Sequence, residues 1–190
     1  DFVTFVTLGE GSSNQGDFHE GAHFAGVHKL PVIIMVENNQ YAISVPVERQ
    51  LACAKVSDRA IGYGMPGVTV DGKNPLEVYK VVKEAAERAR RGEGPSLMET
   101  LTYRLTAHSS DDDHRQYRTT EDIEEGRAKD PILLFKSYLI ETAVATEHEL
   151  ETLNDKILEI VNDATDYAEA APYATPEHAL RFVYAERSDV

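Results

Sequence analysis

The chain has 190 residues, of which 42% are hydrophobic, and this length and composition suit one ordinary folded domain with a core. The formal net charge of −14 argues against nonspecific binding to nucleic acid or to an anionic membrane, and no apolar run is as long as a transmembrane helix. The single cysteine, Cys53, excludes an intrachain disulfide, so a reducing cytoplasm or an organelle matrix is the simplest setting.

Two short apolar segments near the N-terminus predict neighbouring strands. Residues 2–8 and 31–36 are rich in β-branched side chains and are bounded by turn residues, which is typical of buried strands. Between them, residues 17–28 carry apolar side chains at helical spacing. A strand, a helix and a strand of these lengths form a βαβ unit, whose parallel strands end at the same edge of a sheet. Ligands of open α/β sheets bind at that edge.

Elements of alternating type are predicted after the βαβ unit: a loop over 41–50, a short helix over 57–63 capped by Ser57, a strand over 67–70, an amphipathic helix over 75–91 and a strand over 95–104. Alternation of strands and helices favours a parallel sheet. The predicted fold class is therefore α/β, a parallel sheet flanked by helices.

The last third of the chain is predicted to be helical after one irregular segment. Residues 107–119 are polar and have no period, so we expect their order to depend on a ligand. Helices are predicted over 121–129, over 130–140 and over 146–170, the last with a capping box of Thr146 and Glu149, and residues 178–190 have no assigned form. We assign residues 1–140 to the α/β domain and residues 141–190 to a C-terminal helical extension of it.

Polar residues follow both strands of the βαβ unit. Glu10 lies between Gly9 and Gly11 after the first strand, and Asn38-Asn39 follow the second strand. One carboxylate and two amides at a sheet edge supply oxygen ligands that suit a hard cation such as Mg²⁺ or Ca²⁺. Taken alone, Glu10 could instead stabilise a helix N-terminus, and the two asparagines could form an ordinary turn.

The spacing of these residues resembles the thiamine diphosphate motif, in which Gly-Asp-Gly is followed by Asn-Asn. Further segments occur in the order found in alpha chains of the decarboxylase components of 2-oxo acid dehydrogenases: 16–20, 39–44, 71–72, 102–104, 108–112, 117–118 and 130–132. Glu10 in place of aspartate, and Ser109-Ser110-Asp111-Asp112, are most like the branched-chain members. The resemblance covers roughly the whole chain and corresponds to the C-terminal half of such a subunit, so we expect upstream sequence to be missing.

The resemblance implies a thiamine diphosphate-binding fold with a metal site at the sheet edge. Mg²⁺ is implied to bind Glu10, Asn39 and the backbone carbonyl of Tyr41, and to bridge them to the diphosphate of the cofactor. The residues implied to contact the cofactor are Gly9, Glu10, Gly11, Ser12, Asn39, Tyr41, Ala42, Ile43 and His108.

The segment that begins at His108 resembles the phosphorylation loop of the family, at the active-site entrance. His108 is implied to be catalytic, in handling the substrate or in reductive acylation of the lipoyl group. Arg104, Ser109 and Asp112 are implied to order the loop. Ser109 matches the serine that is phosphorylated in mammalian relatives, but the acidic run 111–113 would repel a phosphate, so we do not assume this regulation.

The implied function is oxidative decarboxylation of branched-chain 2-oxo acids, with acyl transfer to a lipoyl domain. The implied partners are a beta chain in an α2β2 assembly, which carries the glutamate that activates the cofactor, a lipoyl-bearing acyltransferase and a small 2-oxo acid, with neither nucleic acid nor membrane. The expected location is the cytoplasm in a bacterium or the mitochondrial matrix in a eukaryote. Pyruvate and acetoin dehydrogenase alpha chains share the metal motif and remain alternatives.

Two other classes of protein remain open from the residues alone. In a NAD-binding Rossmann dehydrogenase, Gly9 and Gly11 would begin the glycine fingerprint and Glu37 would bind the ribose, but Asn14 stands where the third glycine belongs. A non-catalytic regulatory or scaffold fragment would fold without a cofactor and would show no partner-dependent activity.

Overall fold

The structure is a computed structural model that describes residues 2–181. Its strands are β1 (Thr4–Gly9), β2 (Val32–Asn38), β3 (Tyr41–Ala42), β4 (Val45–Pro46), β5 (Gly67–Asp71) and β6 (Ser96–Leu101). Its α-helices are α1 (Gly16–Val27), α2 (Pro75–Arg90), α3 (Thr120–Ala128), α4 (Pro131–Glu141) and α5 (Glu147–Ala170). Short 3-10 helices span Ser12–Asn14, Val47–Arg49, Val56–Tyr63, His114–Gln116 and Pro176–Leu180.

Four strands pair into one sheet in the order β1-β2-β6-β5, and every pair is parallel. The register aligns Gly9 with Glu37 and Asn38 with Leu101, so the carboxyl ends of β1, β2 and β6 meet at one edge. The predicted α/β class, a parallel sheet flanked by helices, is confirmed.

Alternate residues of β2 pack on opposite faces of the sheet, as the two-residue period of a strand requires. Ile34 and Val36 lie in a buried cluster with Ala22 of α1. Ile33 lies in a second buried cluster with Ala85 of α2. These two clusters cover both faces of β2 and hold its carboxyl end rigidly at the sheet edge.

The prediction that the first strand is buried is wrong. Phe5 and Val6 of β1 are 48% and 43% exposed, whereas Val36 of β2 is fully buried. β1 pairs only with β2 and forms an edge of the described sheet. An apolar run predicts a strand, but it does not reveal whether the strand has neighbours on both sides.

Two predicted boundaries are corrected by the pairing of the strands. The predicted loop over 41–50 contains a hairpin of β3 and β4, followed by the 3-10 helix Val47–Arg49. The predicted strand over 95–104 ends at Leu101, because β2 ends at Asn38, the register partner of Leu101.

The predicted cap of the short helix near residue 57 is also wrong. The helix is a 3-10 helix that begins at Val56, and the backbone N–H of Lys55 donates to Asp58 Oδ2 at 3.0 Å. The backbone N–H of Ser57 donates instead to the carboxylate of Glu99, at 3.2 Å. The sequence does not reveal this bond because the two residues are far apart along the chain.

The chain divides into two compact units, one that extends to Tyr138 and one that begins at Leu139. In the second unit, α5 begins with the predicted capping box, since Thr146 Oγ1 accepts from the backbone N–H of Glu149 at 3.3 Å. Within residues 2–181, no helix has the length and apolar character needed to cross a membrane. Most of the segment 178–190, which received no assigned form, lies outside the described residues.

Candidate functional site

The turn after β1 carries a buried carboxylate. Glu10 is 1% exposed, and its backbone carbonyl accepts from the Ser13 hydroxyl at 2.6 Å, which closes the turn. The two hydrogen bonds to its carboxylate are long: Asn39 N and Gln50 Nε2 each lie at 3.4 Å. None of the ion pairs formed within residues 2–181 includes Glu10. A buried carboxylate without a cationic partner is costly, so Glu10 is suited to receive a metal ion.

The turn after β2 brings Asn39 to Glu10. Asn38 Oδ1 accepts from the backbone N–H of Gln40 at 3.0 Å, and Gln40 has φ +76°, a left-handed conformation that residues other than glycine rarely adopt. Asn39 Oδ1 accepts from the backbone N–H of Tyr41 at 3.1 Å. This hydrogen-bonded turn holds the Asn39 side chain and the Tyr41 backbone beside each other.

The hairpin of β3 and β4 does not use the carbonyl of Tyr41. The N–H of Val47 donates to the carbonyl of Gln40 at 3.0 Å, and hydrogen-bonded pairs alternate along an antiparallel ladder, so the next pair, Tyr41 with Pro46, is not hydrogen-bonded. Glu10 and Asn39 can therefore each offer a side-chain oxygen to a hard cation, and Tyr41 can offer its backbone carbonyl.

These groups line a cleft of about 650 Å³ at the carboxyl edge of the sheet, a volume suited to a small cofactor. The structure brings together in it every residue for which the resemblance implies cofactor contact, namely Gly9, Glu10, Gly11, Ser12, Asn39, Tyr41, Ala42, Ile43 and His108. Gln50 also lines this cleft and was missed, because nothing in the sequence around it forms a pattern.

The two glycines beside Glu10 differ in the space around them. A Cβ on Gly11 would lie 2.5 Å from the Cβ of Ala42, whereas a Cβ on Gly9 would meet no heavy atom within 4 Å. We expect Gly11→Ala to lower the free energy of unfolding by about 1–3 kcal/mol, because it forces the hairpin away from the turn. We expect less than about 1 kcal/mol for the matched control Gly9→Ala. Urea denaturation measures both, and equal losses would contradict the packing of Gly11 against Ala42.

The loop from Arg104 onward is held by a bridge through Tyr117. Arg104 Nη2 donates to the Tyr117 hydroxyl at 2.7 Å and to the carbonyl of Ile43 at 2.8 Å. The Tyr117 hydroxyl donates to Asp112 Oδ2 at 2.5 Å, and the backbone N–H of His108 donates to the same oxygen at 2.8 Å. Arg104 and Asp112, which the resemblance paired, are thus joined through Tyr117, which the sequence analysis gave no role.

The bridge shifts the protonation of both of its acidic groups. The hydroxyl of Tyr117 holds the pKa of the Asp112 carboxyl below its usual value, and the His108 N–H acts in the same direction. Burial raises the pKa of Tyr117, and the hydrogen bond with Asp112 raises it further. Because the pKa of Asp112 is lowered in the folded protein, its contribution to loop order is complete above about pH 3.9, the pKa of an unfolded aspartate, and is lost at lower pH. Because the pKa of Tyr117 is raised, its contribution is complete below about pH 10, the pKa of an unfolded tyrosine, and is lost at higher pH.

Replacement of Tyr117 by phenylalanine removes the bridge and leaves the ring. We expect protection of the segment 106–116 from hydrogen exchange to fall by about tenfold, because Arg104 and Asp112 lose their common partner. In the wild type, protection corrected for intrinsic exchange should be flat between pH 5 and 9, fall as the pH drops below about 3.9, and fall again above about 10. Unchanged protection in Tyr117→Phe would show that the loop is ordered by other contacts.

Arg118 is a buried cation that joins the loop to the metal-site turn. Its side chain is 4% exposed, and it donates to the backbone carbonyls of Arg104 at 2.5 Å and Thr106 at 3.3 Å. Its guanidinium carbon lies 4.6 Å from the ring centroid of Tyr103 and 5.4 Å from that of Tyr41. In the sequence, Arg118 is part of a segment that carries the resemblance, and the resemblance implies no function for it.

The other loop residues named from the sequence lie at the surface. His108 is exposed and borders the cleft, and its catalytic role stays a prediction. Ser109 is exposed, and its backbone carbonyl accepts from the N–H of Asp112 at 3.2 Å. Among the described residues this contact is made by the backbone of Ser109, and the role of Ser109 in loop order stays a prediction.

Three curated relatives are similar to this chain over nearly its whole length. The chain is 64% identical over 186 residues to the 2-oxoisovalerate dehydrogenase subunit alpha of Bacillus subtilis, an alignment that covers 98% of this chain and 56% of that protein. It is 40% identical over 186 residues to the 3-methyl-2-oxobutanoate dehydrogenase subunit alpha of Mycobacterium tuberculosis (98% and 51% covered). It is 40% identical over 183 residues to the pyruvate dehydrogenase E1 component subunit alpha of Bacillus subtilis (96% and 49% covered).

The chain thus spans about half the length of the curated relatives it matches. The model of one protein family, described as dehydrogenase E1 component, matches residues 1–177, and this family is thiamine diphosphate-dependent. The match includes β1, the turn with Glu10, the turn with Asn39 and the loop that begins at Arg104. The chain therefore belongs to the dehydrogenase E1 component family.

Proposed function

We propose that the protein containing this chain binds thiamine diphosphate and Mg²⁺ and catalyses oxidative decarboxylation of branched-chain 2-oxo acids as an alpha chain. The observation that carries the proposal is the cleft in which the buried carboxylate of Glu10 lies beside Asn39 and Tyr41. When bound, thiamine diphosphate supplies a nucleophilic carbon and an acceptor for the electrons left by departing carbon dioxide.

The residues of the cleft fit a bridging Mg²⁺. Glu10 is buried without an ion pair among the described residues, so its charge is available. Mg²⁺ prefers oxygen ligands and usually joins a few protein oxygens to the phosphates of a ligand. We assign Glu10, the Asn39 side chain and the Tyr41 carbonyl to the metal, and Gly9, Gly11 and Ser12 to contacts with the cofactor.

His108 is proposed to act on the substrate or on the lipoyl group at the mouth of the cleft. Its backbone is held by Asp112 at 2.8 Å, while its side chain is exposed. An imidazole at this position can act as a general acid or base towards a bound substrate. Arg104 and Asp112, joined through Tyr117, keep this part of the loop in place.

A branched-chain substrate is favoured by the difference in identity between relatives. The relative named for 2-oxoisovalerate is 64% identical, and a pyruvate relative is 40% identical. The mycobacterial 3-methyl-2-oxobutanoate relative is also 40% identical. The preference for a branched-chain substrate therefore depends on the 64% identical relative, on Glu10 and on the loop residues Ser109 to Asp112. Pyruvate and acetoin dehydrogenation are the second candidates.

Association with a beta chain and with a lipoyl-bearing acyltransferase is proposed for the whole protein. Exposed apolar side chains support association with another chain. Along α5, Leu153, Ile157 and Ile160 are each about half exposed. In β1, the outermost strand of the described sheet, Phe5 is 48% exposed. The beta chain is proposed to supply the glutamate that activates the cofactor, and this chain supplies the metal and diphosphate half of the site.

The test uses the full-length alpha chain co-purified with its beta chain. Release of carbon dioxide from 2-oxoisovalerate is measured with and without thiamine diphosphate and Mg²⁺, and pyruvate and acetoin are run in parallel with an artificial electron acceptor. We expect turnover of 2-oxoisovalerate that requires both additions. A preference for pyruvate or acetoin would overturn the substrate assignment, and no turnover of any of the three would favour a non-catalytic role.

A further inference from the structure

A second carboxylate is buried in the sheet behind the metal-site turn. Glu99 lies in β6, between β2 and β5, and is 1% exposed. Its Oε1 accepts from Asn38 Nδ2 at 2.8 Å, and its Oε2 accepts from the Ser57 backbone N–H and the Thr69 hydroxyl, both at 3.2 Å. No ion pair within residues 2–181 includes it. A carboxyl group is kept in a strand core only when hydrogen-bond partners such as these surround it.

The bond to Glu99 fixes which way the Asn38 amide points. A carboxylate can only accept, so the nitrogen of the amide faces Glu99 and its oxygen faces the other way. That oxygen accepts from the backbone N–H and the side-chain Nε2 of Gln40, at 3.0 and 3.2 Å. If the amide were reversed, its NH₂ group would face the N–H of Gln40, and the left-handed turn at φ +76° would lose its acceptor.

Asn38 is therefore held from two sides. Its backbone carbonyl accepts from the N–H of Thr102 at 2.9 Å, and its side chain is held by Glu99. The next residue, Asn39, donates its backbone N–H to Glu10, and the turn continues to the carbonyl of Tyr41. The position of two of the three assigned metal ligands depends on this turn.

We propose that Glu99 is a positioning residue for the metal site: through the Asn38 amide it fixes the turn that presents Asn39 and Tyr41 beside Glu10, and so sets the affinity for the divalent cation. This inference depends on the proposed function. It assigns no metal contact to Glu99 itself.

A glutamine cannot replace Glu99 in this role. Three donors converge on the carboxylate, and an amide has one oxygen to receive them. If that oxygen faces Ser57 and Thr69, the NH₂ group faces Asn38 Nδ2 and the Asn38 amide is free to reverse. Thr69→Val is a matched control, since it removes one bond to Glu99 and the 2.7 Å contact with the Ser57 hydroxyl in the same buried cluster, and leaves the Asn38 bond intact.

The test measures Mn²⁺ binding, by the paramagnetic resonance signal of free Mn²⁺, to the full-length alpha chain co-purified with its beta chain and saturated with thiamine diphosphate. For Glu99→Gln we expect the dissociation constant of Mn²⁺ to rise by about 10–100-fold, and for Thr69→Val by less than about twofold. Saturating Mg²⁺ should restore kcat of Glu99→Gln to within about threefold, because the affinity and not the chemistry is lost.

Asn38→Ala removes the hydrogen bond between Asn38 and Glu99 by changing Asn38 instead of Glu99. We expect the same rise in the dissociation constant of Mn²⁺, so the test can still be made if Glu99→Gln does not fold. Glu99→Gln and Asn38→Ala both remove the same interaction. In the variant that combines them, the dissociation constant of Mn²⁺ should therefore be no more than about twofold above that of the single variant that binds Mn²⁺ less tightly. Equal shifts in Glu99→Gln and Thr69→Val, or no shift in either, would overturn the role of Glu99 while leaving the proposed function intact. Failure of the wild type to bind Mn²⁺ in a cofactor-dependent way would overturn the proposed function, and this inference with it.

Discussion

Replacement of Glu10 by glutamine is expected to lower kcat by about 1,000-fold at physiological Mg²⁺, because a metal ligand is worth several kcal/mol and each 1.36 kcal/mol is tenfold in rate. The variant keeps the shape of the side chain and removes only its charge. Steady-state release of carbon dioxide by the α2β2 protein, with Mg²⁺ varied, measures the effect. Glu10→Asp, the residue usual in the thiamine diphosphate motif, should retain most of the rate.

Glu10→Gln is expected to raise the free energy of unfolding although it lowers kcat. Without metal, Glu10 is a buried carboxylate whose two hydrogen bonds are both 3.4 Å long, so glutamine should raise the free energy of unfolding by about 1 kcal/mol. With thiamine diphosphate and Mg²⁺, only the wild type should gain further stability. A Glu10→Gln protein that is less stable without metal would show that the carboxylate serves the fold instead.

Glu37→Gln is the matched control for this prediction. Glu37 lies at the carboxyl end of β2 but is exposed, and we expect its replacement to change kcat by less than about twofold. It is also the residue that a Rossmann dehydrogenase would use for a ribose. Membership of the dehydrogenase E1 component family overturns that alternative. A large loss in Glu37→Gln, together with a mild one in Glu10→Gln, would contradict the assignment of the metal site.

Replacement of Arg118 is expected to have the second large effect. Arg118→Lys keeps the charge, but an ammonium cannot reproduce the planar fork that donates to the carbonyls of both Arg104 and Thr106. We expect Arg118→Ala to lower the free energy of unfolding by about 3 kcal/mol and Arg118→Lys by about 2 kcal/mol. Urea denaturation measures the loss, and protease cleavage between residues 104 and 118 reports the loop.

The same loop offers a control for Arg118. The Arg115 side chain is 78% exposed and, among the described residues, pairs with Asp113 alone, at 2.7 Å, so we expect Arg115→Ala to leave the urea midpoint nearly unchanged. Both variants remove one positive charge from the loop. If they destabilise the protein equally, the contribution of Arg118 is its charge and not its burial against Tyr41 and Tyr103.

The parallel sheet and its helices could be predicted because their signals are local. A continuous, β-branched apolar run over residues 31–36 and apolar residues at helical spacing over 75–91 are visible in the sequence, and β2 and α2 formed there. The exposure of β1 could not be predicted, since burial depends on which elements lie beside a strand. The hairpin of β3 and β4 was missed because strands of two residues have no period to detect.

The predicted βαβ unit placed Glu10 and Asn39 at one edge of the sheet, and the resemblance added Tyr41 and His108. The structure gathers all four in one cleft. The supporting residues were missed because their contacts join distant parts of the chain. Glu99 bonds to Asn38 across 61 positions and to Ser57 across 42. One signal was available: a glutamate between the apolar residues Leu97-Met98 and Leu101 of a predicted strand, which a buried strand tolerates only with dedicated partners.

Equilibrium binding of thiamine diphosphate to the full-length α2β2 protein, measured by isothermal titration calorimetry with and without Mg²⁺, decides whether the metal lies in this cleft. We expect one saturable site per alpha chain and an affinity that rises by about 100-fold or more with Mg²⁺, a coupling of about 3 kcal/mol that Glu10→Gln abolishes. Equal affinity with and without Mg²⁺, or coupling that survives in Glu10→Gln, would contradict the placement of the metal in this cleft.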